Sequence, residues 1–103
     1  MRQTRDYKGI CVLEDDFALE RACKHDHLNN IEEYQKGHLE KAMKFCRKKR
    51  TAIDIGANYG IMTLNMSSVF ERVYAFEIDP DVHGCLEKNV ETWGLHNVET
   101  FPF

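Results

Sequence analysis

The sequence predicts an α/β fold, with a small parallel sheet in residues 51–103 and a helical N-terminal segment in residues 1–50. Two observations support this fold class. After residue 50, short runs of β-branched and aromatic residues alternate with longer runs of helical spacing, a pattern typical of parallel sheets. Before residue 50, apolar residues recur at helical spacing among many charged ones. We therefore expect half of a doubly wound sheet preceded by a helical extension.

Length and composition limit the chain to one small globular unit. It has 103 residues, of which 43% are hydrophobic and 30% are charged, a balance typical of folded rather than disordered chains. No apolar run approaches the roughly 18 residues needed to span a bilayer, and the charged start contains no signal-peptide core. We therefore expect a cytoplasmic protein without a membrane partner.

Charge and cysteine content argue against a nucleic-acid-binding protein and against a disulfide-rich protein. The formal net charge is -3, which gives no general positive field for a nucleic acid. The basic run Arg47–Arg50 is interpreted as a solvated helix end rather than an RNA contact. No Cys-x-x-Cys pair occurs, so we expect reduced, mostly buried thiols instead of a disulfide framework. The cysteines are Cys11, Cys23, Cys46 and Cys85.

In the N-terminal segment the spacing predicts two helices. Residues 7–13 are expected to form either a short strand or an extended arm. Asp15 or Asp16 is expected to cap a first helix that ends near residue 23. A longer helix over residues 30–48 is expected to follow, because its apolar residues recur at helical spacing.

Residues 51–103 are predicted to alternate between strand and helix. The expected strands are 51–55, 73–76 and 98–101, and the expected helices are 61–70 and 80–93. The second strand shows no polar alternation, as expected when both faces of a strand are covered. Asp79 followed by Pro80 is typical of a helix start, and Gly94 followed by Leu95 of a Schellman-type end.

The loop after the first of these strands carries the most chemical information. Small residues between Gly56 and Gly60 let backbone N–H groups approach a ligand at a helix N-terminus. Glu77 ends the next strand, about twenty residues after the first glycine, where a carboxylate accepts hydrogen bonds from both hydroxyls of a ribose. Together the loop and the acid favour an adenosine-containing ligand over an ordinary strand-to-helix turn.

The details of the loop favour one such ligand. Dinucleotide sites use Gly-x-Gly-x-x-Gly to bring the backbone against a pyrophosphate, but here Asn58 replaces the middle glycine. Asp54, unless it only caps the turn, places a negative charge beside the loop, which suits an ammonium better than a phosphate. S-adenosylmethionine (SAM) has a ribose, an α-amino group and no phosphate. It is therefore favoured over the dinucleotide of a nicotinamide-dependent oxidoreductase.

These motifs resemble a known family. The stretches 52–60 (AIDIGANYG), 73–77 (VYAFE), 79–80 (DP) and 97–99 (NVE) look like the opening half of a class I SAM-dependent methyltransferase. They are most similar to its FkbM-type branch, in which D-[IV]-G-A-N-x-G and A-F-E-x-D-P recur at this spacing. The resemblance implies three strands of a Rossmann-like sheet, SAM as cofactor, and methyl transfer to a hydroxyl of a small molecule or sugar.

The resemblance also implies roles for individual residues. The small loop residues would line the methionine part of the cofactor, and Asp54 would reach its amino group. Glu77 would hold the ribose hydroxyls, and Ile78 would pack against the adenine. No catalytic residue is assigned, because the family's later strands, which supply the acceptor site, have no counterpart here. The cofactor-binding residues implied are Asp54, Gly56, Ala57, Asn58, Tyr59, Gly60, Glu77 and Ile78.

Two questions of partnership follow from the predicted sheet. Its first strand would have an unpaired outer edge, to be covered by the N-terminal segment, by the rest of a longer enzyme, or by a partner in a homodimer or a complex with a second chain. The alternative function is accordingly a non-catalytic interaction module that completes its sheet with another subunit.

No metal is expected, since His25 and His27 lack a second ligand cluster and are interpreted as a surface loop.

Overall fold

The structure is a computed structural model that describes residues 2–103. Its strands form two sheets, an antiparallel hairpin β1-β2 and a parallel sheet in the order β3-β4-β5. The predicted α/β class with a three-stranded parallel sheet is therefore confirmed. In chain order the elements are β1 (Thr4–Tyr7), β2 (Ile10–Leu13), α1 (Ala18–His25), a 3-10 turn (Ile31–Glu33), α2 (Lys36–Met43), β3 (Thr51–Ile55), α3 (Ile61–Ser67), β4 (Arg72–Phe76), α4 (Pro80–Trp93) and β5 (Val98–Phe101).

Only one face of the parallel sheet is covered. Two crossovers of the same hand that step in one direction across a sheet leave both helices on one face. Val73 and Ala75 of β4 are fully buried under α3 and α4. On the opposite face, Ile53 is 60% exposed and Ile55 is 83% exposed. The second strand, which was expected to be covered on both faces, is buried on one face and only half-buried on the other, so that expectation is wrong.

The long helix predicted over residues 30–48 is also wrong. The structure has a 3-10 turn and then α2, separated by an extended Tyr34 and by Gln35 in the left-handed region at φ 58°. The Nδ2 of Asn65 donates to the carbonyl of Glu32 at 2.8 Å, which takes this acceptor out of a continuous helical ladder. The basic run Arg47–Arg50 consequently follows α2 at a distance instead of ending it.

The local start and stop signals of α4 are confirmed. The Oδ1 of Asp79 accepts hydrogen bonds from the amides of Asp81 at 2.9 Å and Val82 at 3.2 Å. Gly94 is left-handed at φ 65°, and the amide of Leu95 donates to Val90 at 3.2 Å. The predicted cap of the first helix, Asp15 or Asp16, is wrong. Phe17 precedes α1 without a side-chain cap, and Asp16 accepts from the amide of Ala18 at 3.0 Å.

The N-terminal residues 7–13 form part of a hairpin that packs on α4. Asn89, a fully buried α4 residue, accepts from the amide of Cys11 at 2.6 Å. Its Nδ2 donates to the carbonyls of Cys11 at 3.0 Å and Tyr59 at 2.9 Å. The hairpin therefore joins the sheet region through α4, and it does not cover the outer edge of β3, which carries no strand among residues 2–103.

No helix within the described residues 2–103 has both the length and the apolar content required to cross a membrane.

Candidate functional site

A cavity of about 460 Å³ lies at the carboxyl end of β3, within the size range typical of small-ligand sites. In open parallel sheets this edge is where ligands bind. One wall is the loop between β3 and α3, and the other comes from the N-terminal segment. The lining residues are Asp16, Ala18, Leu19, Tyr34, Gln35, Asp54, Ile55, Gly56, Ala57, Asn58, Tyr59, Gly60, Ile61 and Met62.

The backbone of the loop is held by hydrogen bonds within the protein. The amides of Gly56 and Ala57 both donate to the carbonyl of Phe76 at 2.9 Å, and the amide of Gly60 donates to Ala57 at 3.0 Å. The amide of Asn58 donates to Glu77 at 2.8 Å. These four N–H groups are therefore paired within the protein and are not offered to a ligand.

Gly60 is required by close packing as well as by conformation. Its φ is 97°, and a Cβ at this position would lie 2.7 Å from the Cδ1 of Leu86 and 3.4 Å from the ring of Trp93. A larger residue would therefore force the Leu86 side chain or the loop itself to move. Gly60 also lines the cavity, so such a substitution would disturb the cavity as well.

Glu77 joins the loop to the start of α4. Its Oε1 accepts from Asn58, and its Oε2 accepts from the amide of Asp79 at 3.1 Å. The residue is buried but does not line the cavity; its carboxylate supports the loop from the β4 side. A carboxylate has about four acceptor positions, so two remain for a ligand. Ile78 also lies outside the cavity lining and is 79% exposed.

Asp54 faces the cavity as a buried carboxylate. It is 8% exposed, and its Oδ2 accepts from the Thr63 hydroxyl at 2.6 Å. Burial raises the pKa of Asp54, the Thr63 hydrogen bond opposes this rise, and the charge of Glu77 adds to it. The negative charges of Asp54 and Glu77 therefore repel each other. A cation that entered the cavity would lower the free-energy cost of ionising Asp54.

The second cavity wall was not predicted. The Tyr59 hydroxyl donates to Asp16 at 2.5 Å and accepts from the amide of Leu13 at 3.2 Å. The hydrogen bond from Tyr59 lowers the pKa of Asp16, and burial raises the pKa of Tyr59. The sequence predicts Asp15 or Asp16 only as a helix cap and gives Tyr34 no place at a site. No local signal identifies them, since Asp16 and Tyr59 are 43 positions apart.

Of the eight predicted cofactor-binding residues, six line this cavity and two lie beside it. Glu77 and Ile78 are the two residues outside the lining. The hydrogen bond from the amide of Asn58 to Glu77 connects them to the loop that lines the cavity. The roles of all eight residues toward a ligand stay predictions. The residues that line the cavity are Asp54, Gly56, Ala57, Asn58, Tyr59 and Gly60.

Solved structures with the same architecture identify the fold. No protein-family model matches the chain, and no curated protein matches it either. A SAM-dependent methyltransferase from Aquifex aeolicus superposes with a TM-score of 0.59 over 85% of this chain, at 21% identity. Coclaurine N-methyltransferase, bound to N-methylheliamine and S-adenosylhomocysteine (SAH), has a TM-score of 0.59 over 74% of this chain, also at 21% identity. The chain has the fold of the class I SAM-dependent methyltransferases.

A second similar structure with the demethylated cofactor has somewhat higher identity. SMU.1697c from Streptococcus mutans, named as a candidate methyltransferase and solved with SAH, is 25% identical over 54% of this chain, with a TM-score of 0.50. These neighbours support SAM as the cofactor of the methyltransferase fold. The chain spans 48%, 23% and 32% of the lengths of the Aquifex, coclaurine and Streptococcus proteins, less than half of each.

The buried charge of Asp54 leads to a prediction about stability. We expect Asp54→Asn to raise the free energy of unfolding at neutral pH, because the asparagine needs no ionisation and still accepts from Thr63. The pKa of Asp54 is higher in the folded chain than its ordinary value of 3.8. Ionising the carboxylate therefore lowers the free energy of unfolding as the pH rises above that value. The advantage of the variant should therefore grow between about pH 4 and pH 7, measured by urea unfolding.

The control is Glu40→Gln at an exposed glutamate of α2. It should give no gain that grows with pH. An Asp54→Asn protein that is less stable than the parent at neutral pH, or whose advantage is the same at both pH values, would contradict the assignment of Asp54 as a destabilising buried charge.

Proposed function

We propose that the chain binds SAM at the carboxyl end of β3 and serves as the cofactor-binding part of a methyltransferase. The observation that carries the proposal is the hydrogen bond between Glu77 and the amide of Asn58. It makes the acid after β4 and the loop after β3 one rigid unit beside the cavity. In the class I fold this edge of the sheet is the ligand-binding edge.

The charges around the cavity favour a cationic ligand. SAM carries a sulfonium and an ammonium group. None of the residues that line the cavity is Lys or Arg, whereas Asp16 and Asp54 are both acidic. The loop amides that would cradle a pyrophosphate donate instead to Phe76, Ala57 and Glu77. A phosphate-bearing dinucleotide would therefore meet negative charge and few free donors.

Each predicted site residue has a proposed role consistent with its position. The two remaining acceptor positions of Glu77 would receive the ribose hydroxyls. Ile78, exposed just after Glu77, would pack against the adenine. Asp54 would accept from the amino group, which also offsets the cost of its buried charge. The loop would allow close approach of the methionine part, with Asn58 and Tyr59 lining the cavity.

The proposed reaction is methyl transfer to a hydroxyl of a small molecule or sugar, following the resemblance to the FkbM-type branch. When bound, SAM supplies a methyl group that is already activated by the positive sulfonium. The residues of this chain would contribute by holding the donor in one orientation and excluding water from it, which is the main source of rate in such transfers. No base is assigned among residues 2–103.

Calorimetric titration of the chain with SAH tests the cofactor proposal. We expect SAH to bind and NAD to give no heat of binding. Glu77→Gln should weaken SAH binding by about tenfold or more, equivalent to roughly 1.4 kcal/mol, because the amide lacks the charge and half of the acceptors. Glu91→Gln, on the exposed end of α4, is the matched control and should bind as the parent does.

Circular dichroism of each protein separates a lost fold from a lost site. A folded parent chain that does not bind SAH, or that binds NAD at comparable affinity, would contradict the proposal. Equal SAH affinity in the parent and in Glu77→Gln would remove Glu77 from the site while leaving the cavity as the candidate.

The uncovered sheet face favours a second candidate function, the interaction module. Phe76 and Phe101 stack on this face with ring centroids 4.9 Å apart, beside the exposed Ile53 and Ile55 and next to the outer edge of β3. An apolar surface of this kind marks an interaction site more often than a free surface. We propose that a second copy of the chain covers it.

Sedimentation equilibrium over a range of concentrations tests this second candidate. We expect self-association that Ile55→Asp weakens by about tenfold or more, because a charge would be buried in the contact. Phe45→Asp is the control, since Phe45 is equally exposed but lies outside the sheet. A parent chain that stays monomeric, or an Ile55→Asp variant that associates like the parent, would contradict the proposal.

A further inference from the structure

Two thiols from distant parts of the chain meet where the hairpin packs on α4. The Sγ of Cys11 on β2 lies 3.2 Å from the Sγ of Cys85 on α4, although the residues are 74 positions apart. Both cysteines are free, and neither lines the cavity at the end of β3. A disulfide has its sulfur atoms about 2.05 Å apart, so the two sulfur atoms would have to approach by about 1 Å to be joined.

The surrounding contacts hold this juxtaposition in place. Asn89 lies one turn after Cys85 on the same face of α4, and it bonds both the amide and the carbonyl of Cys11. The strand therefore cannot slide along the helix without breaking two hydrogen bonds to Asn89. Cys85 is 1% exposed and Cys11 is half-buried, so Cys11 is the thiol that a reagent reaches first.

A second cavity is lined by both cysteines. Its volume is about 250 Å³, enough for a small oxidant. Burial raises the pKa of the Cys85 thiol to about 12, the neighbouring Cys11 adds to this rise, and the positive charge of Lys88 opposes it. The lining residues are Arg2, Thr4, Cys11, Pro80, Asp81, Gly84, Cys85 and Lys88.

We propose that Cys11 and Cys85 form an oxidation site at which a hydroperoxide converts the two thiols into a disulfide between β2 and α4. The Cys11 sulfur attacks the peroxide, becomes a sulfenic acid and releases water or the corresponding alcohol. The Cys85 sulfur then attacks the sulfenic sulfur, an S–S bond forms, and a second water leaves. The two thiols lose two electrons and two protons, and the O–O bond of the peroxide accepts them.

The disulfide would lock the hairpin onto the sheet region. Leu13, at the end of β2, donates to Tyr59 in the loop, so the bond at Cys11 would reduce the motion of one wall of the first cavity. The closed loop spans 74 positions, and long closed loops restrict the unfolded chain strongly. The oxidised protein is therefore expected to unfold at a higher temperature than the reduced one.

Intact-mass measurement after hydrogen peroxide treatment tests the site, independently of any cofactor binding. The full chain carries Cys46→Ser, because Cys46 is exposed and would link two molecules. We expect a mass loss of about 2 Da that dithiothreitol reverses, a Cys11–Cys85 cross-linked peptide after digestion, and a raised melting temperature. Cys11→Ala and Cys85→Ala should each abolish the loss, and Cys23→Ala should retain it.

Three results would overturn the proposal: oxygen addition without a cross-link, a cross-link between another pair, or a Cys11–Cys85 bond that leaves the melting temperature unchanged or lowered. Circular dichroism of the untreated variants checks that each one is folded. If Cys85→Ala does not fold, the digest of the treated Cys46→Ser chain decides alone, because the cross-linked peptide is either present or absent.

Discussion

The buried side-chain amide of Asn89 is the contact on which the arrangement of the whole chain depends. It bonds the backbone of the N-terminal hairpin on one side and the backbone of the loop after β3 on the other. A two-stranded hairpin is marginal in water by itself, so β1 and β2 rely on packing against α4. Without the amide, buried backbone groups of Cys11 and Tyr59 would lose partners, at a cost of about 1–3 kcal/mol each.

The candidate site is built from side chains that satisfy the backbone rather than from a backbone left free for a ligand. Glu77 accepts from two amides, and Thr63 orients Asp54. The result is a preformed cavity with unpaired negative charge on one wall, completed on the other wall by residues brought in by the hairpin. Such a site selects ligands by charge and shape, and it suits a cation better than a phosphate.

Local signals explain which parts of the fold could be predicted. Asp79-Pro80 and Gly94 act on their own helix, so both ends of α4 follow from the sequence. The helix expected over residues 30–48 fails because Asn65 takes the carbonyl of Glu32, a tertiary contact that no periodicity contains. The cavity wall at Asp16 and the uncovered sheet face escaped prediction for the same reason. An apolar strand shows that burial is favoured, but not how many faces are covered.

The most direct test of the central claim is a set of amide NMR spectra of the 15N-labelled chain, recorded with increasing SAH. We expect shifts concentrated at Gly56–Gly60 and at Ile78 and Asp79, where the loop and the acid meet, with β1 little affected. Shifts confined to the hairpin or to the exposed sheet face would contradict binding of SAM at the end of β3. So would an unchanged spectrum at saturating SAH, because the cavity at the end of β3 would then bind no such ligand.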